Sequence, residues 1–260
     1  MIDCLNIKNK KIGEGRPKIC VPLTGSTREE LLRQTAAIVE LSREADIDMV
    51  EFRGDYYNRL SDTGELKTLM QAIYEKLGDI ILLFTIRSNK EGGRELSFDT
   101  PTIKDINTFV IENKLADIVD VELFSGEEDV KELVAMAKRQ GVGIIMSNHD
   151  FSTTPDSKEL VSRLCAMQEL GADIAKVAVM PENRLQVLEL LEAVTVMNEK
   201  YAHVPVVGIS MGALGAVSRI TGEIFGSAIT FATLDSASAP GQIPVRDVNR
   251  MLDDVESFCV

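Results

Sequence analysis

Short apolar runs rich in β-branched residues alternate along the chain with longer amphipathic segments. Most of these runs are continuously apolar, which is typical of strands covered on both faces of a parallel sheet. Eight of them can be recognised. The predicted strands are Lys18–Leu23, Met49–Arg53, Ile80–Arg87, Asp117–Leu123, Gly143–His149, Ile174–Met180, Val204–Ser210 and Ala228–Leu234.

The segments between these runs have the apolar spacing of helices. Examples are Arg28–Glu44, Ser61–Leu77, Glu127–Gln140 and Asp156–Leu170. Eight strands, each followed by a helix, in a chain of 260 residues predict an α/β fold, a closed (β/α)8 TIM barrel. We therefore expect one barrel domain over residues 1–260, with an open doubly wound sheet as the alternative.

Residues 1–17 precede the first strand–helix unit. Within Ile2–Pro17, the polar triplet Asn9-Lys10-Lys11 separates two short alternating runs. This pattern predicts an N-terminal β-hairpin, and we expect it to close the bottom of the barrel, where the strands begin.

Composition and charge exclude several classes of partner. A net charge of −13 argues against binding to nucleic acid or to an anionic membrane, since both require a basic face. Cys4, Cys20, Cys165 and Cys259 are scattered without metal-ligand spacing, so we expect neither a metal site nor disulfides. No signal peptide or membrane-length apolar run is recognisable, and we expect a cytoplasmic protein.

Lys176 occupies the middle of the apolar run Ile174–Val179. Lysine is rarely buried, because its ammonium group loses hydration in an apolar site. Desolvation lowers the pKa of an amine and so supplies the neutral nucleophile that condenses with a ketone to form an imine. The alternative is a structural lysine whose stem follows the sheet while its ammonium group reaches water. We predict the catalytic role.

Polar residues collect at the C-terminal ends of the predicted strands, where barrel enzymes place their reacting groups. Three arginines among them could hold a carboxylate and lower the pKa of Lys176 by like-charge repulsion. The polar strand ends and following loops carry Glu51 and Arg53, Arg87 and Glu91, Ser147 to Asp150, Ser218 and Arg219, and Ser236 to Gln242.

His149 ends the strand that precedes the lysine-bearing strand, and this position favours a role in proton transfer. Its carboxylate partner could be Glu91, with Asp120 or Glu122 on the fourth strand as alternatives. His203 begins a strand at the opposite end of the barrel and is interpreted as structural.

The segment Gly208-Ile209-Ser210-Met211-Gly212 matches the G-x-S-x-G nucleophile elbow of α/β-hydrolases. That class needs a histidine later in the chain, and none follows His203, so we reject this assignment. The glycines of Gly208–Gly215 could instead bind a phosphate. A lysine-dependent aldolase or transaldolase on the same fold is therefore the alternative function. A catalytically inactive barrel is a second alternative, which the joint presence of lysine, histidine and arginines opposes.

Several motifs in order resemble the type I 3-dehydroquinate dehydratases of the shikimate pathway. Asp120–Leu123 followed by Ile144–Phe151 resembles the histidine signature of that family, and Ala175–Ala178 resembles its Schiff-base strand. Asn148 stands where tyrosine is common in the family. The other matching segments are Lys11–Gly15, Glu51–Arg53, Thr85–Arg87, Glu91–Gly93, Met211–Arg219 and Ser238–Gln242.

The resemblance implies a mechanism on a (β/α)8 barrel without metal or cofactor. Lys176 would form an imine with the C3 ketone of 3-dehydroquinate. His149, oriented by Glu91, would remove the C2 proton and then protonate the departing C1 hydroxyl. The product would be 3-dehydroshikimate, in the third step of the pathway to chorismate and aromatic amino acids.

The resemblance also implies the contacts with the substrate, and it implies a homodimer. Arg219, helped by Gln242, would bind the carboxylate, while the ring hydroxyls would meet Glu51, Arg53 and Arg87. Ser238 and Gln242 belong to the eighth loop, which could close over the ring. The remaining implied contacts are Ser26, Ala239 and the apolar walls Met211, Phe151 and Phe231.

Overall fold

The computed structural model describes residues 2–96, 102–234 and 238–259. Two short strands form an antiparallel hairpin, and the others belong to one parallel sheet. In chain order the strands are β1 (Leu5–Ile7), β2 (Lys10–Ile12), β3 (Lys18–Leu23), β4 (Met49–Arg53), β5 (Ile81–Thr85), β6 (Ile118–Glu122), β7 (Gly143–Asp150), β8 (Ile174–Val179), β9 (Val206–Ser210), β10 (Ile229–Thr233) and β11 (Ile243–Pro244).

Helices separate the strands and surround the sheet. Five are preceded by a residue whose side-chain oxygen accepts a hydrogen bond from a backbone N–H of the first turn: Thr27, Asp62, Thr102, Asp156 and Asn183. None of the helices in the described ranges is long and apolar enough to cross a membrane. The helices are α1 (Arg28–Leu41), α2 (Thr63–Leu77), α3 (Ile103–Glu112), α4 (Glu127–Gln140), α5 (Ser157–Glu169), α6 (Arg184–Val196), α7 (Val217–Ile220), α8 (Gly222–Phe225) and α9 (Val245–Glu256).

The sheet closes on itself. Strands β3 to β9 follow one another in parallel order, and β10 pairs with β3. A parallel bridge between Val206 and Ser227 joins β9 to the segment just before β10, and the Ala228 N–H donates to the Val206 carbonyl at 2.8 Å. Pairing of the last barrel strand with the first confirms the predicted (β/α)8 barrel and excludes the open doubly wound sheet.

The seventh unit differs from a regular strand–helix pair. Two helices of four residues each, α7 and α8, stand where a single longer helix is usual. Gly222, the first residue of α8, packs so closely that a Cβ would lie 2.6 Å from the Ser227 carbonyl oxygen. Gly226 then ends α8 with φ 93°, a conformation that favours glycine. Thr221, the residue between the two helices, has φ −110° and ψ 20° and so departs from helical geometry, which separates α7 from α8.

The N-terminal hairpin closes the bottom of the barrel, as predicted. Ile12 on β2 is fully buried against the apolar side chains that fill the barrel interior. The Lys10 ammonium group bonds the Asp48 carboxylate at 2.9 Å, just before β4. The turn lies one residue earlier than expected: Ile7 pairs with Lys10, which leaves Lys8 and Asn9 as the loop. Lys8 has φ 50°, a conformation that allows this two-residue turn.

Candidate active site

Inward-facing residues change from apolar to polar along several of the barrel strands. On β8, Ile174 packs in the interior cluster, and Lys176 is the next inward residue. Strand β6 shows the same order, with Ile118 in the cluster and Asp120 after it. Because successive side chains alternate between faces, residues two apart lie in adjacent layers of the barrel interior. The polar layer therefore lies at the C-terminal mouth.

A cavity opens at this mouth. Every predicted site residue except Ser26 lines it. The lining consists of Glu51, Arg53, Arg87, Glu91, Gly92, His149, Phe151, Lys176, Ala178, Ile209, Met211, Arg219, Phe231, Ser238, Ala239 and Gln242. Ser26 follows β3 at the same end, but its hydroxyl donates to Glu30 at 2.9 Å within the first turn of α1.

Lys176 is 4% exposed, so its amine is enclosed rather than extended to water. The amine nitrogen lies 4.2 Å from the centre of the Phe231 ring and 3.9 Å from Asp120 Oδ2. Burial lowers the pKa of Lys176; the carboxylates of Asp120 and Glu51 oppose this effect, and the charge of Arg87 adds to it. Desolvation is thus the main cause, ahead of the expected repulsion by the arginines. The lowered pKa favours a neutral, nucleophilic amine.

His149 and Glu91 form a directly bonded pair. His149 Nδ1 lies 2.9 Å from Glu91 Oε2, and the backbone N–H of His149 donates to the same oxygen at 2.8 Å. When Glu91 is ionised its carboxylate only accepts, so Nδ1 carries the proton in a neutral ring and Nε2 is left as the basic nitrogen. Of the three carboxylates considered from the sequence, Glu91 is therefore the one at hydrogen-bond distance from the imidazole. Asp120 and Glu122 instead bond Arg87.

The two members of this pair have shifted pKa values. Burial and the nearby Glu122 charge raise the pKa of Glu91 to about 7, against the opposing effect of Arg87. Burial lowers the pKa of His149 well below its usual range, and the charges of Arg87 and Lys176 lower it further. At neutral pH the imidazole is therefore uncharged and able to accept a proton.

Two glycines place Glu91 above His149. Glu91 ends a single 3-10 turn after β5, and Gly92 follows with φ 81° in the left-handed region. Gly93 folds back onto the chain so closely that a Cβ would lie 1.8 Å from the Arg87 carbonyl oxygen. The Phe151 ring packs against Gly92, where a Cβ would lie 2.3 Å from a ring carbon. Larger residues at either glycine would displace Glu91.

Two of the three mouth arginines already have carboxylate partners. Arg53 makes two bonds with Asp55, at 2.9 and 2.8 Å. Arg87 donates to Asp120 at 2.8 Å and to Glu122 at 3.0 Å. Both guanidinium groups are thus neutralised within the protein, which stabilises them in a buried site.

Arg219 differs from the other two arginines. Its terminal nitrogens donate to the carbonyl oxygens of Phe231 and Pro240, at 3.2 and 2.9 Å. Among the residues that the structure describes, no carboxylate pairs with Arg219, and its buried Nε has no hydrogen-bond partner. Burial lowers the pKa of Arg219 to about 10. An oriented, incompletely bonded cation in an acidic protein is suited to bind an anionic group of a ligand.

The eighth loop contributes two polar side chains to the cavity. The Ser238 N–H donates to Gln242 Oε1 at 2.7 Å, and Gln242 Nε2 donates to the Ser238 hydroxyl at 3.1 Å. The Gly212 N–H donates to the Pro240 carbonyl at 3.1 Å, which joins this loop to the seventh. Ser236, at the start of the predicted loop, lies outside the described residues.

The structure also shows what the sequence-based reasoning missed. Asp55 orients Arg53, and its carboxylate is fully buried; its position two residues after Arg53 was the available signal. Ser210, the serine of the apparent nucleophile elbow, is 0% exposed and so cannot act on a ligand in the cavity. His203 is exposed, and its carbonyl accepts the Asp3 N–H near the hairpin, at the opposite end. In the described ranges, no group of three or more acidic, histidine or cysteine side chains is arranged to hold a metal.

Comparisons with known proteins agree with this geometry. A family model described as type I 3-dehydroquinase matches residues 19–257. The 3-dehydroquinate dehydratase of Clostridioides difficile (strain 630) is 44% identical over 250 residues, 96% of each chain. The 3-dehydroquinate dehydratase of Bacillus subtilis (strain 168) is 42% identical over 252 residues, 97% of each.

Solved structures show the same likeness. A crystal structure of type I 3-dehydroquinate dehydratase from Clostridium difficile, with covalently modified comenic acid, superposes with a TM-score of 0.94. It is 42% identical, and the match covers 99% of this chain and 100% of that one. The enzyme from Geobacillus kaustophilus gives a TM-score of 0.93 at 33% identity, covering 99% and 98%. From the family match, these identities and the coverage, the chain belongs to the type I 3-dehydroquinase family.

Proposed function

We propose that the protein is a 3-dehydroquinate dehydratase, a lyase of class EC 4.2.1.10 that converts 3-dehydroquinate to 3-dehydroshikimate through an imine. Its place is the third step of the shikimate pathway, which leads to chorismate and the aromatic amino acids. The observation that carries this proposal is the enclosed Lys176 amine beside the His149–Glu91 pair in one cavity. Membership of the type I family supplies the substrate.

The first step joins Lys176 to the substrate. The neutral amine adds to the C3 carbonyl, and the resulting carbinolamine loses water to give a protonated imine. Asp120, 3.9 Å from the amine nitrogen, lies close enough to stabilise the positive charge of that imine. Burial raises the pKa of the Asp120 carboxyl, but the charges of Arg87 and Lys176 together with hydrogen bonds from Ser147 and Arg87 outweigh this effect. The net shift of the pKa is downward, so this group is ionised.

The second step removes the C2 proton. His149 accepts it on Nε2, and the C–H electrons move into the C2–C3 bond to give an enamine. Glu91 stabilises the imidazolium that forms, because its carboxylate accepts the Nδ1–H. The enamine then expels the C1 hydroxyl, which leaves as water after His149 returns the proton. Hydrolysis of the conjugated imine releases 3-dehydroshikimate and restores the Lys176 amine.

The contacts with the substrate follow the charges of the cavity. Arg219 binds the carboxylate, with Gln242 and Ser238 from the eighth loop beside it. Glu51 and Arg53 contact the ring hydroxyls. Arg87, which is bonded to Asp120 and Glu122, contacts them as well. The ring packs against apolar walls, which consist of Met211, Phe151, Phe231 and Ala239. Ser26 would contact the substrate only if its hydroxyl left Glu30.

The test is an absorbance assay for the conjugated enone product, run with 3-dehydroquinate and no added metal. Borohydride added during turnover should trap the substrate on Lys176, and peptide mass analysis should locate the adduct there. A lysine-dependent aldolase would instead cleave a phosphosugar and leave 3-dehydroquinate unchanged. Absence of both enone and adduct would refute the proposed function.

We also propose that the protein works in the cytoplasm as a homodimer of single barrel domains covering residues 1–260. Leu185 and Leu188 on α6 are 73% and 58% exposed, and Ile224 on α8, which contacts α6, is 58% exposed. A second copy that covered these side chains would remove apolar surface from water. Light scattering should give twice the monomer mass, and Leu188→Lys should shift the population toward monomer. A monomeric wild-type protein would refute the dimer.

A further inference from the structure

Asn148, the residue before His149 on β7, connects two charged groups. It is only 5% exposed. Its Nδ2 donates to Glu91 Oε1 at 3.0 Å, and its Oδ1 accepts from Arg163 Nη1 at 2.8 Å. A continuous row of hydrogen bonds therefore runs from Arg163 on α5 through Asn148 and Glu91 to His149.

Arg163 determines which way the Asn148 amide points. A guanidinium group only donates, so the oxygen of the amide must face Arg163 and the NH₂ group must face Glu91. Arg163 is itself held by Glu159, one turn earlier on α5, at 2.8 Å. Its guanidinium carbon also lies 5.7 Å from the centre of the Phe124 ring. The orientation of a buried amide is thus set by a partly exposed residue on an outer helix.

The Asn148 bond completes the set of donors around the Glu91 carboxylate. Oε2 receives both the backbone N–H and the Nδ1–H of His149, whereas Oε1 receives the Asn148 amide. With a donor on each oxygen, the carboxylate cannot rotate without losing a charge-assisted bond. Removal of the Asn148 donor would leave the Glu91 carboxylate free to rotate and Oε1 free to take up a proton.

We propose that Asn148, held by Arg163, is a positioning residue that fixes the Glu91 carboxylate against His149 Nδ1. This inference rests on the proposed function for its kinetic consequence, because it assigns the pair a role in proton transfer. The positioning role itself concerns only the orientation and protonation of Glu91 and His149. It can therefore be tested with and without substrate.

The substrate-free test uses the small number of histidines. His149 and His203 are the only two, so their ring signals can be followed by NMR as pH is varied, with exposed His203 as an internal reference. The His149 signal should show a step near pH 7 as Glu91 ionises, because burial raises the pKa of Glu91 to about 7. In Asn148→Leu this step should move upward by about one pH unit, since a donor to the carboxylate is lost. Asn148→Gln, which keeps an amide, should return it toward the wild-type position.

The kinetic test follows kcat and KM against pH. In Asn148→Leu the acid limb of kcat should move upward by about one unit while KM changes less than threefold, because Asn148 does not line the cavity. Arg163→Met should move the acid limb upward by a smaller amount. In Arg163→Lys the movement should be smaller than in Arg163→Met. This helix-surface variant remains informative if Asn148→Leu does not fold. Lys131→Met is the matched control, since it removes an exposed cation that pairs with Glu127 four residues earlier on α4.

Each outcome decides one question. Unshifted NMR and kinetic profiles in both Asn148→Leu and Arg163→Met would overturn the positioning role. A uniform fall in kcat without movement of the acid limb would also overturn it, because a merely structural residue acts that way. A wild-type protein without dehydratase activity would refute the proposed function instead, and the NMR titration would still decide the role of Asn148.

Discussion

The two ends of the barrel interior are built from the same strands with opposite chemistry. At the bottom, the inward side chains are apolar and closed off by Ile12 of the hairpin. They include Cys20, Met49, Ile81, Ile118, Ile145, Ile174, Val207 and Ile229. At the mouth, one further inward position along, β6 carries Asp120 and β8 carries Lys176. The two layers are about 7 Å apart along the strand.

This difference separates stability from function. The bottom layer removes apolar surface from water and has no polar group to satisfy, so it stabilises the fold. The mouth holds buried charges, which stabilise little even when they are paired, and Arg219 has no such partner among the described residues. Substitutions at the mouth should therefore alter turnover, and substitutions at the bottom should alter the free energy of unfolding.

The largest effect is expected at Lys176. Lys176→Met keeps most of the side-chain volume but removes the nucleophile, so kcat should fall about 10⁴-fold or more. Borohydride should then trap no adduct. The free energy of unfolding, measured in urea, should equal or exceed that of the wild type, since a buried amine is removed. Lys200→Met, at an exposed position, is the control. If Lys176→Met lost stability while keeping its turnover, the distinction between the mouth and the bottom of the barrel would be wrong.

His149 should come next. His149→Gln removes the base but leaves the Lys176 amine, so the imine should form and accumulate while kcat falls about 10³-fold. Mass spectrometry after borohydride should show a larger trapped fraction than in the wild type. Loss of the adduct with undisturbed C2 proton exchange would contradict the assigned role.

Ile118 tests the bottom layer. Ile118→Ala should lower the free energy of unfolding by about 3 kcal/mol, because it opens a cavity among fully buried side chains. The value of kcat at a temperature well below the transition should change less than about threefold, since the residue lies one layer below the mouth. A large fall in kcat with an intact fold would show that the two layers are coupled.

Arg219 is the mouth arginine for which the described part of the chain offers no carboxylate partner. Arg219→Met should raise KM for 3-dehydroquinate about 10²-fold, because the substrate carboxylate loses a charge-assisted contact in a buried site. Exposed Arg250→Met should leave KM unchanged. An unaltered KM in Arg219→Met would place the carboxylate elsewhere.

The smallest predicted effect concerns Glu91 and pH. Its pKa of about 7 exceeds the value near 4.5 of the unfolded chain, so the folded state binds more protons between these values. The contribution of Glu91 to stability is thus present at low pH and lost as pH rises through 7. Glu91→Gln removes this dependence. From pH 5 to pH 8, the free energy of unfolding of the variant should therefore rise by about 2 kcal/mol relative to that of the wild type. Urea titrations at pH 5 and pH 8 would show this change.

Much of this architecture was predictable because the signals are local. Strand β8 could be recognised from its apolar run, and a lysine inside that run is informative wherever the strand packs. The hairpin and its position at the bottom also followed from the pattern, although its turn begins at Lys8 rather than Asn9. The pattern did not predict α7 and α8 in place of one longer helix, because Thr221 leaves helical geometry between them only in the folded chain.

The amino-acid sequence by itself determined the order of strands and helices, the end of the barrel that carries polar groups, and the presence of an amine, an imidazole and three guanidinium groups there. Only the tertiary structure decided how those groups pair. It placed the Glu91 carboxylate at hydrogen-bond distance from His149 and paired Arg53 and Arg87 with carboxylates. Within the described ranges, it left Arg219 without one. The reason is physical: periodicity along a strand fixes the direction of each side chain, whereas pairing depends on distances between residues far apart in the chain.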